Sequence, residues 1–365
     1  MAEPFKNHFN HDYVLRLADR VQATFPHLNA DPLRRLTDGT LLQLEMKGRA
    51  SALADSLRQL LGGSGGELFQ RVVQLAESDP PWSGFDIWPH TMVVEQDTTD
   101  DVDDALDAMQ SLTERFTSEF AVRPWLRRYP DTVLARMHTL TTHPSEHVRR
   151  WVSEGTRPRL PWGLQVPAFI HDPTPLLPLL EALRDDPSEY VRRSVANHLN
   201  DIAKDHPHLT LQTCERWLTN ATPERRRLVH HALRTLIKKG NAHALNLVGA
   251  STTSIHDASL SLSPTTLTLG QTLALQLDAT ATPTAPERWV IDVAIHFVKS
   301  NGQTSPKVFK GAVVDVQKPG PFRWTKNIPL RPVTTRRHYP GATRVDLMVN
   351  GQPVASATFD FIIPD

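Results

Sequence analysis

The chain has 365 residues, enough for two or three domains, and its 39% hydrophobic and 22% charged residues are typical of a globular protein in water. The one cysteine, Cys214, excludes a scaffold of intrachain disulfides, and no apolar run approaches the ~18 residues that a membrane span requires. No signal-peptide pattern opens the sequence, so we expect a cytoplasmic protein that contacts no membrane.

Charge is divided unevenly along the chain, although the formal net charge is zero. Residues 1–121 contain 10 basic and 20 acidic residues, residues 122–240 contain 19 and 12, and residues 241–365 contain 11 and 8. The positive excess after residue 121 would suit a polyanionic partner. On charge alone, a solvated surface of mixed sign is the simpler interpretation.

Apolar residues recur at helical spacing before residue 250. Leu106, Met109, Leu112, Phe116 and Phe120 stand three or four positions apart, which predicts one face of a single amphipathic helix. Comparable spacing recurs on either side of this segment. The pattern therefore predicts an all-α domain over residues 1–250.

An internal repeat organises the second half of this helical domain. The segment HPSEHVRRWV (143–152) matches DPSEYVRRSV (186–195) at a spacing of 43 residues, and TPERRRLVHHAL (222–233) is a looser third copy. In each copy we expect the proline in the first helical turn, where its missing N–H costs nothing. The spacing is typical of HEAT-like helix pairs, which stack into a solenoid because one pair cannot bury its apolar face alone.

Each copy of the repeat carries an arginine pair. A stripe of guanidinium groups on successive units could follow a phosphate backbone. The alternative is that the pairs neutralise nearby acidic residues at the starts of the same helices. The pairs are Arg149-Arg150, Arg192-Arg193 and Arg226-Arg227, and the acidic neighbours are Glu146, Glu189 and Glu224.

Three carboxylates lie in segments whose composition is unusual for a helical core. Glu119 lies in RFTSEFAVRPWL, Glu154 in the Gly- and Pro-punctuated WVSEGTRPRLPW, and Asp201 in SVANHLNDIAKDHP. Each fits a structural role separately, as a solvated acid or at a helix end. Together they place acidic, basic and aromatic groups on consecutive elements of one solenoid. The basic and aromatic residues between the second and third carboxylates include Arg157, Arg159 and Trp162.

Motifs for cofactors and metals are missing from the sequence. It contains no glycine-rich phosphate loop, no G-x-S-x-G elbow and no HExxH zinc motif. His143 and His147 stand four apart, but Pro144 lies between them at a helix start, which disfavours a shared ion. We therefore expect no cofactor and no metal.

The hydrophobic period changes to two after residue 250. Alternating runs such as 289–297 and 345–349 predict half-buried strands, and the Asn301-Gly302 and Asn350-Gly351 pairs predict tight hairpins. About seven strands with frequent turns favour an antiparallel immunoglobulin-like sandwich. The small, polar linker at 250–254 places the boundary between an α domain, 1–250, and a β domain, 251–365.

The three carboxylate-bearing segments resemble those of the bacterial HEAT-repeat DNA glycosylases that excise alkylated bases, specifically the AlkC branch. RRHYPGATRVDLMVNGQ (336–352) is similar to the carboxy-terminal immunoglobulin-like module of that branch. The resemblance implies a monomer that hydrolyses the N-glycosidic bond of 3-methyladenine or 3-methylcytosine in double-stranded DNA during base excision repair. It also implies that no metal is used and that the base is not flipped.

In this interpretation Glu119 and Glu154 are the leading catalytic residues and Asp201 the third, while Trp162 and Trp151 contact the lesion or its deoxyribose. A non-enzymatic HEAT-repeat DNA binder or scaffold remains the alternative. The sequence leaves open which carboxylate dominates and whether 7-methylguanine is also a substrate. The residues predicted to bind DNA are Arg149, Arg150, Arg157, Arg159, Arg192, Arg193, Arg336 and Arg337.

Overall fold

The computed structural model of the chain describes residues 5–78, 82–250, 253–332 and 337–363. Up to Leu247 the described elements are helical. The α-helices are α1 (His11–Thr24), α2 (Asp31–Arg34), α3 (Met46–Leu61), α4 (Gly65–Glu77), α5 (Trp88–Glu95), α6 (Val102–Thr113), α7 (Val122–Arg128), α8 (Pro130–Leu140), α9 (Glu146–Gly155), α10 (Pro167–His171), α11 (Leu177–Leu183), α12 (Glu189–Ile202), α13 (Pro207–Leu218), α14 (Pro223–Ala232), α15 (Arg234–Lys238) and α16 (Ala242–Leu247). None of the helices in the described ranges is long and apolar enough to cross a membrane.

The repeated segments form α9, α12 and α14, and α12 packs against both of the others. The first two copies begin alike, because Ser145 and Ser188 are extended N-cap residues. Pro144 and Pro187 therefore precede the N-cap residue and lie two residues before the first helical residue, outside the predicted first turn, whereas Pro223 opens α14 as predicted. The HEAT-like repeat architecture is confirmed.

The sequence pattern predicted one helix that continues through Phe116 and Phe120. This prediction is wrong at the C-terminal end, because α6 stops at Thr113. The Thr113 hydroxyl accepts the Ser118 backbone N–H at 3.2 Å, and the Ser118 hydroxyl donates to the Met109 carbonyl at 2.9 Å. Such side-chain hydrogen bonds compete with the helical ladder. Glu119 consequently lies in a turn before α7.

After the helices, the described residues form a β-sandwich whose strands are mostly antiparallel, as predicted. It has eight strands rather than about seven. One sheet has the order β1-β3-β6 and the other β2-β8-β7-β4-β5, with β2 parallel to β8. Trp289, Phe359 and Phe361 pack in the core between the sheets. The strands are β1 (Ile255–Ser263), β2 (Thr266–Thr268), β3 (Thr272–Ala281), β4 (Glu287–Val298), β5 (Thr304–Val316), β6 (Gly320–Pro329), β7 (Gly341–Val349) and β8 (Gln352–Ile362).

Contacts divide the chain into two compact units. The first comprises Met1–His206 and Thr222–Ala232, and it contains all the predicted catalytic residues. The second comprises Pro207–Ala221 and Leu233–Asp365, so α13, α15 and α16 belong with the sandwich. The domain boundary at residue 250 stays a prediction.

Both predicted Asn-Gly hairpins are confirmed, between β4 and β5 and between β7 and β8. Gly302 and Gly351 have nearly the same left-handed φ, +77° and +76°. A Cβ on Gly302 would meet open space, whereas one on Gly351 would lie 2.4 Å from the Gly240 Cα. Both glycines therefore have a strained backbone conformation for any other residue, but only at Gly351 would a side chain also clash with a neighbouring backbone.

We expect Gly351→Ala to destabilise the β7–β8 hairpin by about 2 kcal/mol more than Gly302→Ala destabilises its own, because only the former adds a backbone clash to the left-handed strain. Native-state hydrogen exchange of the hairpin amides measures both losses. Equal losses would show that the chain around Gly240 yields without cost.

Candidate active site

The turn after α6 holds Glu119 in an almost buried position. Its Oε2 accepts hydrogen bonds from Arg150 Nη1 at 2.5 Å and from the Thr117 hydroxyl at 3.0 Å. Oε1 receives no hydrogen bond from the residues that the structure describes. Glu119 is therefore a fixed carboxylate with one oxygen available to another molecule.

Arg150 on α9 connects this turn to the next carboxylate. Its Nη2 lies 3.8 Å from Glu154 Oε1, and its guanidinium lies over the Tyr190 ring, 5.2 Å from the centroid. Glu154 follows Arg150 by one helical turn, so both side chains lie on the same face of α9. One guanidinium thus lies between two carboxylates.

Glu154 is engaged at both oxygens. Oε1 accepts from Arg157 Nη1 at 2.6 Å, and Oε2 accepts from the Ser194 hydroxyl at 2.6 Å. Burial acts to raise the pKa of Glu154, but Arg150, Arg157 and the Ser194 hydrogen bond together hold that pKa below its usual value. Glu154 is therefore ionised at neutral pH.

Asp201, near the end of α12, is fully buried. Its Oδ2 accepts the Arg159 backbone N–H at 3.0 Å and lies 3.4 Å from Arg157 Nε, while Lys204 donates to Oδ1 at 2.6 Å. Both oxygens are committed, so this carboxylate holds the segment after α9 in place. Acidic and basic groups alternate from the turn to α12; we call this series, Glu119, Arg150, Glu154, Arg157 and Asp201, the charge chain.

Arg123 on α7 fixes the segment that follows α9. It is fully buried, and its guanidinium donates to the carbonyls of Gly155 at 2.9 Å, Pro158 at 3.3 Å and Leu164. Burial, and next the nearby Arg157 charge, lower its pKa to about 10, which still leaves it charged at neutral pH. One side chain thus fixes residues 155–164 at three points.

We expect Arg123→Met to destabilise the helical unit by about 3 kcal/mol or more, because three carbonyls lose a charged donor and Met offers no replacement. Arg123→Lys should recover part of the loss, since an ammonium group has donors but cannot span all three carbonyls. Urea unfolding followed by circular dichroism at 222 nm measures the effect. A loss below about 1 kcal/mol for the Met variant would contradict the three-point attachment.

The chain is similar over nearly its full length to two known proteins. It is 34% identical over 361 residues to the uncharacterized protein YhaZ of Bacillus subtilis (strain 168), covering 97% of this chain and 98% of YhaZ. This chain belongs to the YhaZ family. Residues 256–363 match the model for "Uncharacterised protein YhaZ, C-terminal Ig-like domain". The structure of Pseudomonas fluorescens alkylpurine DNA glycosylase AlkC, bound to DNA containing an abasic site analog, matches with a TM-score of 0.91 and 34% identity, covering 99% of this chain and 100% of AlkC.

These similarities confirm the predicted resemblance of this YhaZ-family chain to the AlkC branch, and with it the fold class. Among the described residues, no group of three or more His, Cys, Asp or Glu is placed to hold a metal ion. Cys214 is buried, which raises the pKa of its thiol to about 12.

The two tryptophans that were predicted to contact the lesion or its deoxyribose have opposite environments. Trp151 is fully buried, and its indole N–H donates to the Ser118 carbonyl at 3.1 Å, so it supports the turn that holds Glu119 and does not face solvent. Trp162 is 90% exposed and has a φ of +63°. A non-glycine residue held at positive φ is strained, and such strain is concentrated at active sites and ligand-binding loops.

The predicted DNA-binding arginines also differ in their environment. Arg149 and Arg192 each use Nη1 to hold two carbonyls of the turn before their own helix. Arg157 is buried in the charge chain, and Arg159 pairs with Asp205 in two hydrogen bonds.

Arg193 is more open than these four. In the part of the chain that the structure describes, its ion pair is with the exposed Glu189 on its own helix, at 2.6 Å. Arg337 in the second unit lies over the Tyr339 ring, 5.6 Å from its centroid. Arg336 lies outside the described residues.

Sequence reasoning missed Thr117, Arg123 and Ser194 as parts of the site. The repeat contains a signal for one of them. Ser194 occupies the position in the second copy that Trp151 occupies in the first, so a small hydroxyl replaces a large indole inside the repeat. A break in repeat identity at an internal position is a useful pointer to a functional contact.

Proposed function

We propose that this chain is a monofunctional DNA glycosylase that hydrolyses the N-glycosidic bond of cationic alkylated bases in double-stranded DNA. The observation that carries the proposal is the charge chain, which ends at Glu119 with one carboxylate oxygen free of hydrogen bonds from the described residues. The overall similarity to AlkC, an alkylpurine DNA glycosylase seen with DNA containing an abasic site analog, supports the same activity.

The geometry suits this reaction. A base that is already cationic is a good leaving group, so no strong general acid is needed, and its departure develops positive charge on the sugar. A fixed, partly desolvated carboxylate stabilises such charge and can orient the attacking water. Glu119 Oε1 is the free oxygen, and we assign it this role; Glu154 contributes a second negative charge behind Arg150.

Asp201 has a supporting role, because it fixes the Arg159 backbone and balances the positive charge of Arg157. Trp162 is available to lie against the deoxyribose or the lesion, where an aromatic face attracts positive charge. Arg193 and Arg337 are assigned to phosphate contacts. We further propose that the enzyme acts in the cytoplasm as a monomer, on 3-methyladenine and 3-methylcytosine, without metal, cofactor or base flipping.

The test is release of free bases from duplex DNA that contains 3-methyladenine, 3-methylcytosine or 7-methylguanine, with a chelator present throughout. We expect the wild-type protein to release N3-methylated bases and to leave alkali-labile abasic sites. A variant carrying both Glu119→Gln and Glu154→Gln, purified in the same way, controls for contaminating glycosylases. Tight binding to abasic DNA without base release would instead identify a non-enzymatic HEAT-repeat DNA-binding protein.

A further inference from the structure

Ser194 on α12 makes a hydrogen bond to a carboxylate of the charge chain from the neighbouring repeat. Its side chain is buried, and its hydroxyl lies 2.6 Å from Glu154 Oε2 and 2.6 Å from the Ser153 hydroxyl. Glu154 and Ser153 are on α9. Ser194 therefore forms a polar bridge between two helices, beside the contact of His198 Nδ1 on α12 with the Ser153 carbonyl on α9 at 2.8 Å.

The direction of these hydrogen bonds follows from a count of protons. An ionised carboxylate can only accept, so the single Ser194 proton is directed at Glu154 Oε2. Ser194 must then accept in its contact with Ser153, which donates to it. The result is a relay in which both hydroxyl dipoles point toward the carboxylate, an arrangement in which each bond strengthens the next.

The relay occupies space that the repeat would otherwise fill. In the first copy, the position equivalent to Ser194 is Trp151, which is fully buried. The replacement by serine leaves room for Glu154 to reach across from α9. Burying a hydroxyl costs free energy unless it is hydrogen-bonded, so a buried serine here is best explained by the carboxylate that it contacts.

We propose that Ser194 is a positioning residue for the glycosylase reaction: its hydroxyl fixes the side-chain orientation of Glu154 by donating a hydrogen bond to Oε2. The inference rests on the proposed function, because it assigns Glu154 a charge that the reaction uses. Ser194 itself contacts neither the substrate nor the reacting atoms in this assignment.

Other charged and titratable groups also act on Glu154, and the effect of Ser194 must be measured against them. Arg150 and Arg157 flank it directly, and Arg123 on α7 lies nearby; Glu119 is beyond Arg150. From α12, Tyr190 and His198 face the same region, and burial, with Arg157 next in effect, lowers the pKa of His198 to about 3, so that this imidazole is neutral.

Removing the hydroxyl should raise the pKa of Glu154, since a hydrogen bond to the charged form is lost. We therefore expect Ser194→Ala to shift the acid limb of the pH–rate profile to higher pH. Base release should fall severalfold at pH 5, with the loss growing toward about tenfold at lower pH, which is the scale of a hydrogen bond to a charged group, and it should approach the wild-type rate at pH 8. Ser194→Thr retains the hydroxyl and should restore the wild-type limb.

The experiment compares wild type, Ser194→Ala and Ser194→Thr by single-turnover base release between pH 5 and 9. In parallel, the Glu154 carboxyl is titrated by carbon-13 NMR with selectively labelled glutamate and assigned with Glu154→Gln. The NMR titration reports the hydrogen bond whether or not the protein is an enzyme.

A higher Glu154 pKa in the Ala variant, with an acid limb shifted by the same amount, supports the positioning role. An unchanged Glu154 titration overturns it, as does a loss of rate that is equal at every pH. If the wild type releases no base, the proposed function fails, and with it the catalytic part of this inference. The NMR shift then still decides whether Ser194 sets the charge of Glu154. Should Thr fail to fold, Ser153→Ala provides a second test, with a smaller shift in the same direction.

Discussion

Replacing Glu119 with Gln is expected to lower the rate of base release by about two to three orders of magnitude. This is the usual effect of removing one group that stabilises charge in the transition state. Gln is nearly isosteric, and its amide oxygen can still accept hydrogen bonds from Arg150 and Thr117. The change therefore removes the charge and leaves the shape of the site. Affinity for abasic DNA should stay within about threefold, because phosphate contacts dominate DNA binding.

Glu189→Gln is the matched control, because Glu189 is an exposed carboxylate whose one ion pair among the described residues is with the exposed Arg193. Its rate should remain within about twofold of wild type, as expected for a surface ion pair. Single-turnover release of 3-methyladenine at saturating enzyme measures the chemical step alone. A Glu119→Gln rate close to wild type would contradict the assignment and move the principal role to Glu154.

The sequence identified the three carboxylates but not the way they are connected. The proximity of Arg150 and Glu154 could be predicted, since they are four residues apart on one helix. The contact between Arg150 and Glu119 joins residues 31 positions apart through a turn, and it depends on α6 ending at Thr113. That ending is accompanied by a hydrogen bond from the Ser118 backbone N–H to the Thr113 hydroxyl, and hydrophobic periodicity does not encode such competing side-chain bonds.

The predictions that succeeded rest on local physics. The Asn-Gly hairpins were predictable because their turn geometry is written in two adjacent residues. The arginines were harder to interpret, because a guanidinium that binds phosphate and one that holds carbonyls have the same sequence signature. Arg149 and Arg192 recur with the repeat, yet in the structure both hold the turn before their own helix. Repetition of a residue therefore indicates a shared structural role as readily as a periodic ligand.

The second large effect concerns the stability of the charge chain. We expect Arg157→Met to destabilise the helical unit by about 3 to 5 kcal/mol, because it leaves two buried carboxylates without the cation between them. Glu154 loses a hydrogen bond of 2.6 Å and Asp201 loses an ion-pair partner at 3.4 Å. Met keeps most of the length of the side chain, so the loss reflects charge rather than volume.

The pH dependence of this loss has a definite sign. In the wild type, the pKa of Glu154 is lower in the folded than in the unfolded state. This difference stabilises the folded state at pH values above the unfolded-state pKa, and the stabilisation is lost as the pH falls through the folded-state pKa. In the variant, burial dominates and raises the folded pKa of Glu154, so the folded state gains stability as the pH falls. The difference between the two proteins should therefore be largest near pH 7 and shrink toward about pH 4.

Arg159→Met is the control for this experiment, since Arg159 pairs with Asp205 at a partly exposed position and should cost no more than about 1 kcal/mol. Urea unfolding at several pH values, followed at 222 nm, gives both differences. A deficit in Arg157→Met that stays constant with pH would mean that lost packing, rather than an uncompensated carboxylate, is the cause. A deficit as small as that of Arg159→Met would mean that Arg150 and Lys204 suffice to balance the buried acids.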